Sequence, residues 1–543
     1  MPSDLLTERA PVATPRTAGA HATERGLPRF ETVTLAVYAL LISILSVLHE
    51  PWKDETQAWR LAIDSHGVAD LVRNARYEGH PLLWHVMLQA LGHLSRSWWA
   101  VAALHVVIAC VGAWLVLRYA PFTRLQKVLL VFGYWSAYEY AIVVRPYGLG
   151  MVLAIAACVA WTAPRRRYVW TVVCLALLAN TTAMGTLLAM ALAGTFAFDW
   201  AWPDDDEGRP SRRTVALAGL AALALTLLVF YVAVAQIRPP ADAALQANVR
   251  PPLSRWDIAT IPTFELRALM PVVRFEDGVR WNQPVFEPAD SRYDLALMLG
   301  LALIMLAIGL VIAARRRVSL VLYLTATVGY LLFFSFLFPG ASYHHGYLFI
   351  VWLLAAWLAW SRPPSEEPRV LRWLTSVIDR TRPNLFVISL IPPVFAAAEM
   401  YVADALKPFS DARHVADVIR DHGLADAPLI SIVRPHAQSV AAFLDRPVLY
   451  PLERKSLTFV YWGPPSPYRA TLRAADSAAT SLLATHCQVV LIASRKNDVS
   501  PEIAARAHLL YATRGRPLSG DYYRVWVMSA PPSARCPRDA ARP

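Results

Sequence analysis

Two adjacent acidic residues, Asp54 and Glu55, follow the first apolar run of the sequence and precede an amphipathic stretch. A carboxylate just outside a membrane helix can take a proton from an incoming hydroxyl group. The same two residues are equally suited to begin a helix, because Asp54 can cap its first turn and the helix dipole favours an acid such as Glu55 there. Spacing alone leaves both interpretations open.

A second group of ionisable residues lies where the chain leads into the next apolar run. Glu78 and His80 stand before Pro81, and proline is favoured at the first position of a helix. We expect Glu78 and His80 at the water interface, near the other end of the loop that carries Asp54. The alternative is an ordinary solvated start of a helix.

Further candidates lie at the edge of a later apolar run, in the segment from Glu139 to Tyr147. Ionisable groups inside or beside membrane spans are costly and usually functional. Arg145 is suited to bind a phosphate group, with Tyr147 beside it, although an arginine here can also extend to a lipid headgroup.

The polar aromatic turn 342–347 contains His344 and His345, which could donate a proton or a hydrogen bond to a phosphate or a sugar, or do neither. The loop 237–292 is rich in arginine, tryptophan and tyrosine. Arginine suits phosphates and aromatic rings suit sugars. An interfacial loop that touches anionic lipids is the favoured interpretation of that composition.

The composition indicates which elements must position these residues. Of 543 residues, 56% are hydrophobic and 17% are charged, whereas a soluble domain has about 45–50% and about 25%. The mean hydropathy is +0.37. The net charge of +12 lies mostly in short runs between apolar stretches, where it orients membrane spans, so we expect no nucleic-acid partner. The five cysteines lack metal-ligand spacing.

The predicted organisation is a disordered cytoplasmic tail, 1–30, a polytopic membrane domain, 31–403, and an extracytoplasmic domain, 404–543. The loops 49–80 and 237–292 are expected to face outward. About eleven or twelve apolar segments are candidate spans, given that crossing takes about 20 residues: 32–48, 81–95, 98–117, 125–144, 147–163, 168–200, 214–236, 293–314, 318–338, 346–361 and 384–403. The segment 168–200 is long enough to be two helices.

The positive-inside rule places the basic runs 165–167 and 315–317 in the cytoplasm. It also favours a cytoplasmic position for 118–127, which conflicts with a count that makes 81–95 a full span. Either 81–95 does not fully cross the membrane, or the basic stretch 118–127 violates the rule.

The sequence after residue 404 is typical of a small soluble α/β domain. The segment 411–422 predicts an amphipathic helix. Four short segments rich in valine, isoleucine, leucine and tyrosine predict strands: 428–433, 447–450, 488–493 and 523–528. Cys487 and Cys536 would lie in an oxidising compartment, where they could form a disulfide or remain two reduced thiols.

Taken together, the Asp54-Glu55 loop, the motif Glu78-Gly79-His80-Pro81-Leu82, the motif Arg145-Pro146-Tyr147 and a soluble tail domain resemble GT-C membrane glycosyltransferases. Within that group the sequence is most similar to the family 39-like branch of protein O-mannosyltransferases and aminoarabinose transferases. The likeness is strongest over residues 31–165. It implies a GT-C-like, α-helical polytopic membrane protein with a C-terminal soluble α/β domain.

The resemblance implies an inverting transfer of a sugar from a polyprenyl phosphate to an acceptor hydroxyl at the outer face of the cytoplasmic membrane. Asp54 matches the essential loop carboxylate of the family, and His80 matches the histidine at the helix start. The predicted catalytic residues are Asp54 and Glu55. The predicted substrate-binding residues are Glu78, His80, Arg145, Tyr147, His344 and His345.

The resemblance also implies the partners. These are a polyprenyl-phosphate sugar, an acceptor that is an envelope glycan, a lipid or a protein, and the membrane lipid. No cofactor beyond the lipid-linked donor is expected, and a divalent metal is optional. The chain departs from the family at Pro81-Leu82, where His-Pro-Pro is common, and at Arg145, where many members have an acid after the fourth helix.

Two other functions fit a polytopic protein. A transporter, flippase or polymerase for lipid-linked saccharide would place its charges along a pathway at mid-membrane, whereas Asp54, Glu55, Glu78 and His80 gather at one face, which favours an enzyme. A noncatalytic envelope-assembly subunit would use Asp54 and Glu55 only to begin a helix.

Overall fold

The computed structural model of the chain is mostly α-helical, with one β-sheet in its C-terminal part. It describes residues 29–163, 168–201, 224, 227–238, 240–242, 260–271, 281–282, 292–362, 372–432, 434–463, 472–494 and 499–530. The predicted tail 1–30 lies outside these residues, except for its last two, which belong to the first helix. Most of the loop 237–292, the basic run 165–167 and Cys536 also lie outside them.

Among its described residues, the part of the chain before residue 407 contains helices joined by turns and no strand. Its helices are α1 (Arg29–Leu48), α2 (Lys53–Ile63), α3 (Val68–Ala75), α4 (Leu83–Gly92), α5 (Trp98–Tyr119), α6 (Arg124–Val131), α7 (Pro146–Thr162), α8 (Tyr168–Ala179), α9 (Ala183–Ala201), α10 (Leu227–Ile237), α11 (Thr263–Leu269), α12 (Arg292–Ala313), α13 (Arg317–Leu332), α14 (Ser342–Trp360) and α15 (Arg372–Leu406). Two short π-helical turns occur at Trp135–Glu139 and Phe333–Leu337.

Among the described residues, six helical segments are long and apolar enough to cross a membrane: Arg29–Leu48, Trp98–Tyr119, Ala183–Ala201, Leu295–Ala313, Arg317–Leu337 and Asp379–Leu406. Their outward faces carry exposed apolar side chains such as Leu40, Val107 and Phe395, as lipid contact requires. The helices α7, α8 and α10 are apolar but shorter. The chain is therefore a multi-pass membrane protein, as its composition predicts.

Contacts between helix termini define two ends of the helical bundle. Arg118, near the end of α5, lies 3.8 Å from the carboxylate of Glu31 at the start of α1. At the opposite end, His49 follows α1 and its ring lies 2.8 Å from the carboxylate of Asp404, near the end of α15. We call these the basic end and the site end. Thus α1 runs from the basic end to the site end and α5 runs back.

The short helix α4 resolves the topological conflict in the sequence. It has 10 residues, so it is about 15 Å long, half the ~30 Å of the hydrocarbon core. The segment 81–95 therefore does not cross the membrane. The chain crosses through α1 and returns through α5, which brings the basic stretch 118–127 to the same end as the start of α1, in agreement with the positive-inside rule.

The apolar segment 125–144, a candidate span in the sequence, is not one continuous helix. α6 ends at Val131, and a π-helical turn and several irregular residues lead from there to Arg145. Within this irregular stretch, Tyr38 donates a hydrogen bond to the Ser136 carbonyl at 2.6 Å. In a membrane, irregular backbone is tolerated where protein groups satisfy it in this way.

The prediction that 168–200 divides into two helices is confirmed. α8 ends at Ala179, and α9 begins four residues later. The Thr186 hydroxyl donates to the Ala179 carbonyl at 2.7 Å, and the Asn180 carbonyl accepts the Leu83 N–H at 3.1 Å. These bonds satisfy carbonyl groups that the break leaves without a helical partner.

The C-terminal part contains a six-stranded mixed sheet. Its strands are β1 (Leu429–Ser431), β2 (Val448–Tyr450), β3 (Lys455–Leu457), β4 (Gln488–Ala493), β5 (Ala507–Ala512) and β6 (Arg524–Ser529), in the order β3-β2-β1-β4-β6-β5. β1 pairs in parallel with β2 and β4, and the other pairs are antiparallel. Its helices are α16 (Ala412–Asp421), α17 (Arg434–Leu444), α18 (Leu472–Leu483) and α19 (Pro501–Arg506). The four strand segments and the helix predicted from the sequence are confirmed.

The helix α2 lies between the bundle and the C-terminal part. Every residue from Glu55 to Ala62 is buried. The side-chain amide of Gln57 exchanges two 2.8 Å hydrogen bonds with the backbone of Val460, and the Thr56 hydroxyl lies 3.0 Å from that of Ser439 in α17. These contacts fix the position of the acidic first turn of α2.

Candidate active site

The centre of the candidate site is an ion pair between Asp54 and Arg145 at the site end of the bundle. An oxygen of the Asp54 carboxylate lies 2.7 Å from a terminal nitrogen of Arg145, and the two side chains are 34% and 12% exposed. Asp54 stands in the first turn of α2, where the helix dipole favours an acid. Arg145 directly precedes Pro146, which holds it in an extended conformation. The Asp54 carboxylate is therefore open to solvent and is paired with the Arg145 guanidinium.

Tyr147 and His344 extend the site beyond Arg145. His344 Nδ1 accepts the backbone N–H of Ala341 at 2.7 Å, so the neutral ring carries its proton on Nε2. That nitrogen lies 3.0 Å from the Tyr147 hydroxyl, to which Arg145 also donates at 3.4 Å. Since both contacts supply a proton to the oxygen, the Tyr147 hydroxyl keeps its own proton for a hydrogen bond to an anionic ligand.

Glu55, in contrast, faces the protein interior. Its carboxylate accepts the backbone N–H of Val144 at 2.6 Å and that of Trp52 at 2.9 Å. Successive residues of a helix point about 100° apart, so the neighbours Asp54 and Glu55 cannot both face the same opening. Glu55 ties the first turn of α2 to the segment before Arg145. This geometry is that of a positioning residue.

A buried charged network below Glu55 was missed by the sequence analysis. His49 lies 3.2 Å from Glu55 through Nε2 and 2.8 Å from Asp404 through Nδ1, and Tyr138 donates to Asp404 at 3.0 Å. Burial alone would lower the pKa of the His49 imidazole, but the carboxylates of Asp404 and Glu55 outweigh it and raise that pKa to about 10. The network joins the ends of α1 and α15 to the first turn of α2.

Glu78 and His80 lie near enough to the ion pair for its charges to act on their side chains. Gln57 donates to the Glu78 carboxylate at 2.7 Å. Burial raises the pKa of Glu78 to about 7, against the hydrogen bond from Gln57. Burial, and then the charge of Arg145, lower the pKa of His80 to about 3, so its imidazole is neutral. His80 Nδ1 is buried without a hydrogen-bond partner among the described residues.

The Glu78 carboxyl predicts a pH dependence of stability. Its pKa in the folded protein, about 7, exceeds its ordinary value of 4.5, so the folded state binds this proton more tightly than the unfolded state. Its contribution to stability is present below about pH 4.5 and is lost as the pH rises to 7. Glu78→Gln should therefore unfold at a higher temperature than the wild type at pH 8 and at the same temperature at pH 4.5.

Thermal unfolding of the full chain in detergent, followed by circular dichroism, measures this effect. Asp70→Asn is the control, because a hydrogen bond from the His66 backbone lowers the pKa of Asp70 and gives its ionisation the opposite sign. A Glu78→Gln variant with the same pH profile as the wild type would contradict the prediction.

His345 does not reach the ion pair. Its Nε2 donates to the Pro339 carbonyl at 2.9 Å, and its ring packs 4.8 Å from the rings of both Phe264 and Phe334. His344 and His345 therefore point in different directions, and only His344 contacts a residue of the Asp54–Arg145 cluster.

Aromatic residues form one wall of the site. Trp281, from the loop 237–292, stacks on Tyr343 with ring centres 5.4 Å apart and an angle of 7°. Its indole N–H donates to the Glu139 carboxylate at 2.8 Å, as does the Tyr134 hydroxyl. Glu139, predicted as functional, is thus buried behind this wall and anchors Trp281 within it.

The C-terminal part contributes a further charge beside the acidic turn. Lys53, adjacent to Asp54, lies 3.0 Å from the carboxylate of Asp521, and His436 lies 3.5 Å from the same oxygen.

Within the described parts of the chain, no group of three or more histidine, cysteine, aspartate or glutamate residues could hold a metal ion. The site offers one exposed carboxylate, one guanidinium and one hydrogen-bond donor, the Tyr147 hydroxyl. This set is suited to a hydroxyl nucleophile and an anionic leaving group.

Comparison with known proteins identifies the fold. No protein-family model and no curated protein sequence matches the chain. A crystal structure of ArnT from Cupriavidus metallidurans bound to undecaprenyl phosphate covers 93% of this chain and 99% of that chain, with a TM-score of 0.50 and 14% identity. The apo structure of that protein gives a TM-score of 0.49 at 15% identity.

A cryo-EM structure of the arabinofuranosyltransferase AftD from Mycobacteria covers 92% of this chain and 40% of that chain at 13% identity. Its TM-score of 0.37 is too low to support a shared fold. The likeness to ArnT shows that the chain has the GT-C-like fold predicted from its sequence.

Proposed function

We propose that the chain is a glycosyltransferase that moves a sugar, with inversion, from a polyprenyl-phosphate donor to an acceptor hydroxyl at the outer face of the cytoplasmic membrane. The observation that carries this proposal is the Asp54–Arg145 ion pair, open to solvent at the end of a membrane helix bundle. The pair supplies the two charges that the transfer needs, a base and a cation. The ArnT structure with the same fold contains undecaprenyl phosphate, which supports a lipid-phosphate donor.

Donor binding would exchange the partner of Arg145. The phosphate of the donor takes the place of Asp54 as the anion facing the guanidinium, with the Tyr147 hydroxyl as a second donor. Asp54 is thereby released to accept a hydrogen bond from the acceptor hydroxyl. The resting ion pair thus keeps the base occupied until the donor arrives.

In the transfer step, the acceptor oxygen forms a bond to C1 of the sugar and the bond from C1 to the phosphate oxygen breaks. The hydroxyl proton goes to Asp54, and the electron pair of the broken bond leaves with the prenyl phosphate, where Arg145 stabilises it. Retention would require a second carboxylate as nucleophile, and Glu55 is turned away into backbone hydrogen bonds. A single displacement inverts C1.

The basic end supports the proposed orientation in the membrane. Arg118 and the stretch up to Lys127 lie there, opposite Asp54. By the positive-inside rule this end is cytoplasmic, so the site end and the C-terminal part face the extracytoplasmic side. That side is where an envelope glycan, lipid or protein acceptor is available.

The direct test is transfer of label from a panel of radiolabelled sugar donors to extracted envelope acceptors, with membranes that contain the chain and matched membranes that lack it. We expect transfer from a polyprenyl-phosphate sugar and none from nucleotide sugars. Transfer from a nucleotide sugar alone, or from no donor, would contradict the proposal. The labelled product identifies the sugar and the acceptor class.

Arg145 gives a more specific prediction. Removing a group that stabilises the charge of a leaving group typically lowers kcat by about 10²–10³-fold, so Arg145→Gln should lose that much activity and also bind the donor more weakly. Arg145→Lys should recover part of the activity, because it keeps the charge but not the paired donors of the guanidinium. Steady-state kinetics in proteoliposomes measure kcat and KM.

Arg73→Gln is the matched control, because Arg73 is an exposed arginine on α3 whose charge pairs with Asp70. An Arg145→Gln enzyme with wild-type kcat and KM would remove Arg145 from the proposed mechanism.

A further inference from the structure

A second cavity, away from the Asp54–Arg145 pair, lies between the start of α5 and the C-terminal part. Its volume is about 390 Å³, and it is lined by three tryptophans, one phenylalanine, four arginines and two aspartates. Trp59 and Arg60 of α2 form one side of it, five and six residues beyond Asp54. The mechanism proposed above makes no use of this cavity.

The cavity carries a net positive charge, since four arginines face two aspartates. Both aspartates are already paired: Asp445 lies 2.6 Å from Arg60, and Asp417 lies 2.5 Å from Arg420. Arg413, by contrast, forms no ion pair within the part of the chain that the structure describes. The other three arginines of the lining are paired, Arg60 and Arg96 with Asp64 and Arg420 with Asp417. Among the described residues, the Arg413 guanidinium is therefore the cation of the lining that is left for an external anion.

Aromatic rings hold Arg413 in place. Its guanidinium carbon lies 5.1 Å from the centre of the Trp99 ring and 5.2 Å from that of Phe443. A cation placed between two rings is oriented without losing its charge, so its N–H groups remain free for hydrogen bonds. Arg413 Nε is buried and has no hydrogen-bond partner among the described atoms.

Two tryptophans at the start of a candidate membrane span line the cavity. Trp98 and Trp99 are the first residues of α5, one of the six helices long and apolar enough to cross a membrane. Tryptophans concentrate at the headgroup level of membrane proteins, and Trp99 is 45% exposed. Leu94, in the turn before α5, is 86% exposed. We therefore expect the cavity to open at the level of the phosphate groups of the adjacent leaflet.

We propose that this cavity binds the phosphate of an anionic phospholipid headgroup, with the Arg413 guanidinium as its main ligand and Trp99 packing against the headgroup. The ligand chemistry is a phosphate group, whose source is the surrounding membrane. This proposal does not depend on the transfer reaction, because it concerns other residues and another opening of the molecule.

The test uses the full-length protein in detergent and native mass spectrometry, which counts the phospholipids that stay bound. Short-chain phosphatidylglycerol is titrated against phosphatidylcholine, and glycerol phosphate serves as the soluble source of the same group. We expect phosphatidylglycerol to bind more tightly than phosphatidylcholine. Arg413→Gln should weaken phosphatidylglycerol binding about tenfold, the loss expected for one charge-assisted contact.

Two further variants make the result specific. Trp99→Ala should weaken the same binding, and its exposed side chain can be removed without disturbing the core. Arg73→Gln removes the same charge as Arg413→Gln from an exposed site on α3, where Asp70 pairs with it, and should leave binding unchanged. The thermal unfolding midpoint of each variant shows that it is folded.

The outcomes separate the sources of the phosphate. Loss of phosphatidylglycerol binding in Arg413→Gln but not in Arg73→Gln supports the proposal. Glycerol phosphate that binds as tightly as the lipid supports the same ligand chemistry but assigns a soluble source. Equal binding of the two lipids, or unchanged binding in both Arg413→Gln and Trp99→Ala, overturns the proposal.

Discussion

Replacing Asp54 by asparagine is expected to lower sugar transfer by about 10²–10⁴-fold, the usual contribution of a positioned general base. The amide cannot accept the acceptor's proton, but it keeps the size of the side chain and can still contact Arg145. Binding of the lipid-linked donor should therefore persist or become tighter, because Asp54 no longer competes with the phosphate for the guanidinium. Turnover and donor affinity are measured separately in proteoliposomes at matched protein content.

Asp70→Asn is the matched control for this experiment. It removes a carboxylate from α3 at the same end of the molecule, where Asp70 pairs with Arg73, and should retain full activity. If Asp54→Asn transferred sugar as fast as the wild type, the first turn of α2 would have only a structural role, and a transporter or an assembly subunit would become the better account of the protein.

The variant His49→Gln is expected to have the second large effect, a loss of stability. His49 lies between the carboxylates of Glu55 and Asp404 in the protein interior, and removing one partner of a buried charged pair costs about 3–5 kcal/mol. The variant should unfold at a clearly lower temperature at pH 6 and lose activity, because Glu55 positions the turn that carries Asp54.

The pH dependence identifies the cause. The folded-state pKa of His49, about 10, lies above its ordinary value of 6.5. The stabilisation is therefore complete below about pH 6.5 and is lost as the pH rises through 10. Wild-type protein should approach the His49→Gln variant at alkaline pH, and the exposed control His66→Gln should follow the wild type throughout. Thermal unfolding in detergent from pH 6 to pH 10 tests this, and a constant difference between the two would show that the His49 charge is not responsible.

The candidate site shows what the sequence predicts and what only the fold determines. The residue types and their spacing identify the loop with two acids and the Arg145-Pro146-Tyr147 motif. It does not tell which acid faces the opening, because that depends on where α2 begins: Lys53 is its first residue, which turns Glu55 inward to the N–H groups of Trp52 and Val144.

Contacts between distant parts of the chain are not visible in the sequence. His49 and Asp404 are 355 residues apart, and Tyr147 and His344 are 197 apart. No local sequence pattern marks these residues as partners. Only the packing of α1 against α15, and of α7 against α14, brings the side chains together. The missed His49 does have one sequence signal, since a histidine directly after an apolar run is costly to bury without an acidic partner.

The fold itself is largely predictable, because the length of an apolar segment indicates whether it can cross a membrane and the basic residues beside it indicate its orientation. The strands at 429–431 and 488–493 follow from local composition. The irregular structure within the candidate span 125–144 has a different origin. There the hydrophobic pattern is compatible with a helix, but the bond from Tyr38 to the Ser136 carbonyl belongs to tertiary packing, which no local pattern contains.

The position of α2 between the bundle and the C-terminal part has a consequence for biosynthesis. Gln57 and its backbone partner Val460 are separated by 403 residues, so at roughly 5–20 residues per second the ribosome needs roughly 20–80 s to make the second after the first. During that interval the helix that carries Asp54 lacks its contacts with Ser439 and Val460. The proposed active site can therefore be complete only after residues 439 and 460 have been made and have folded against α2.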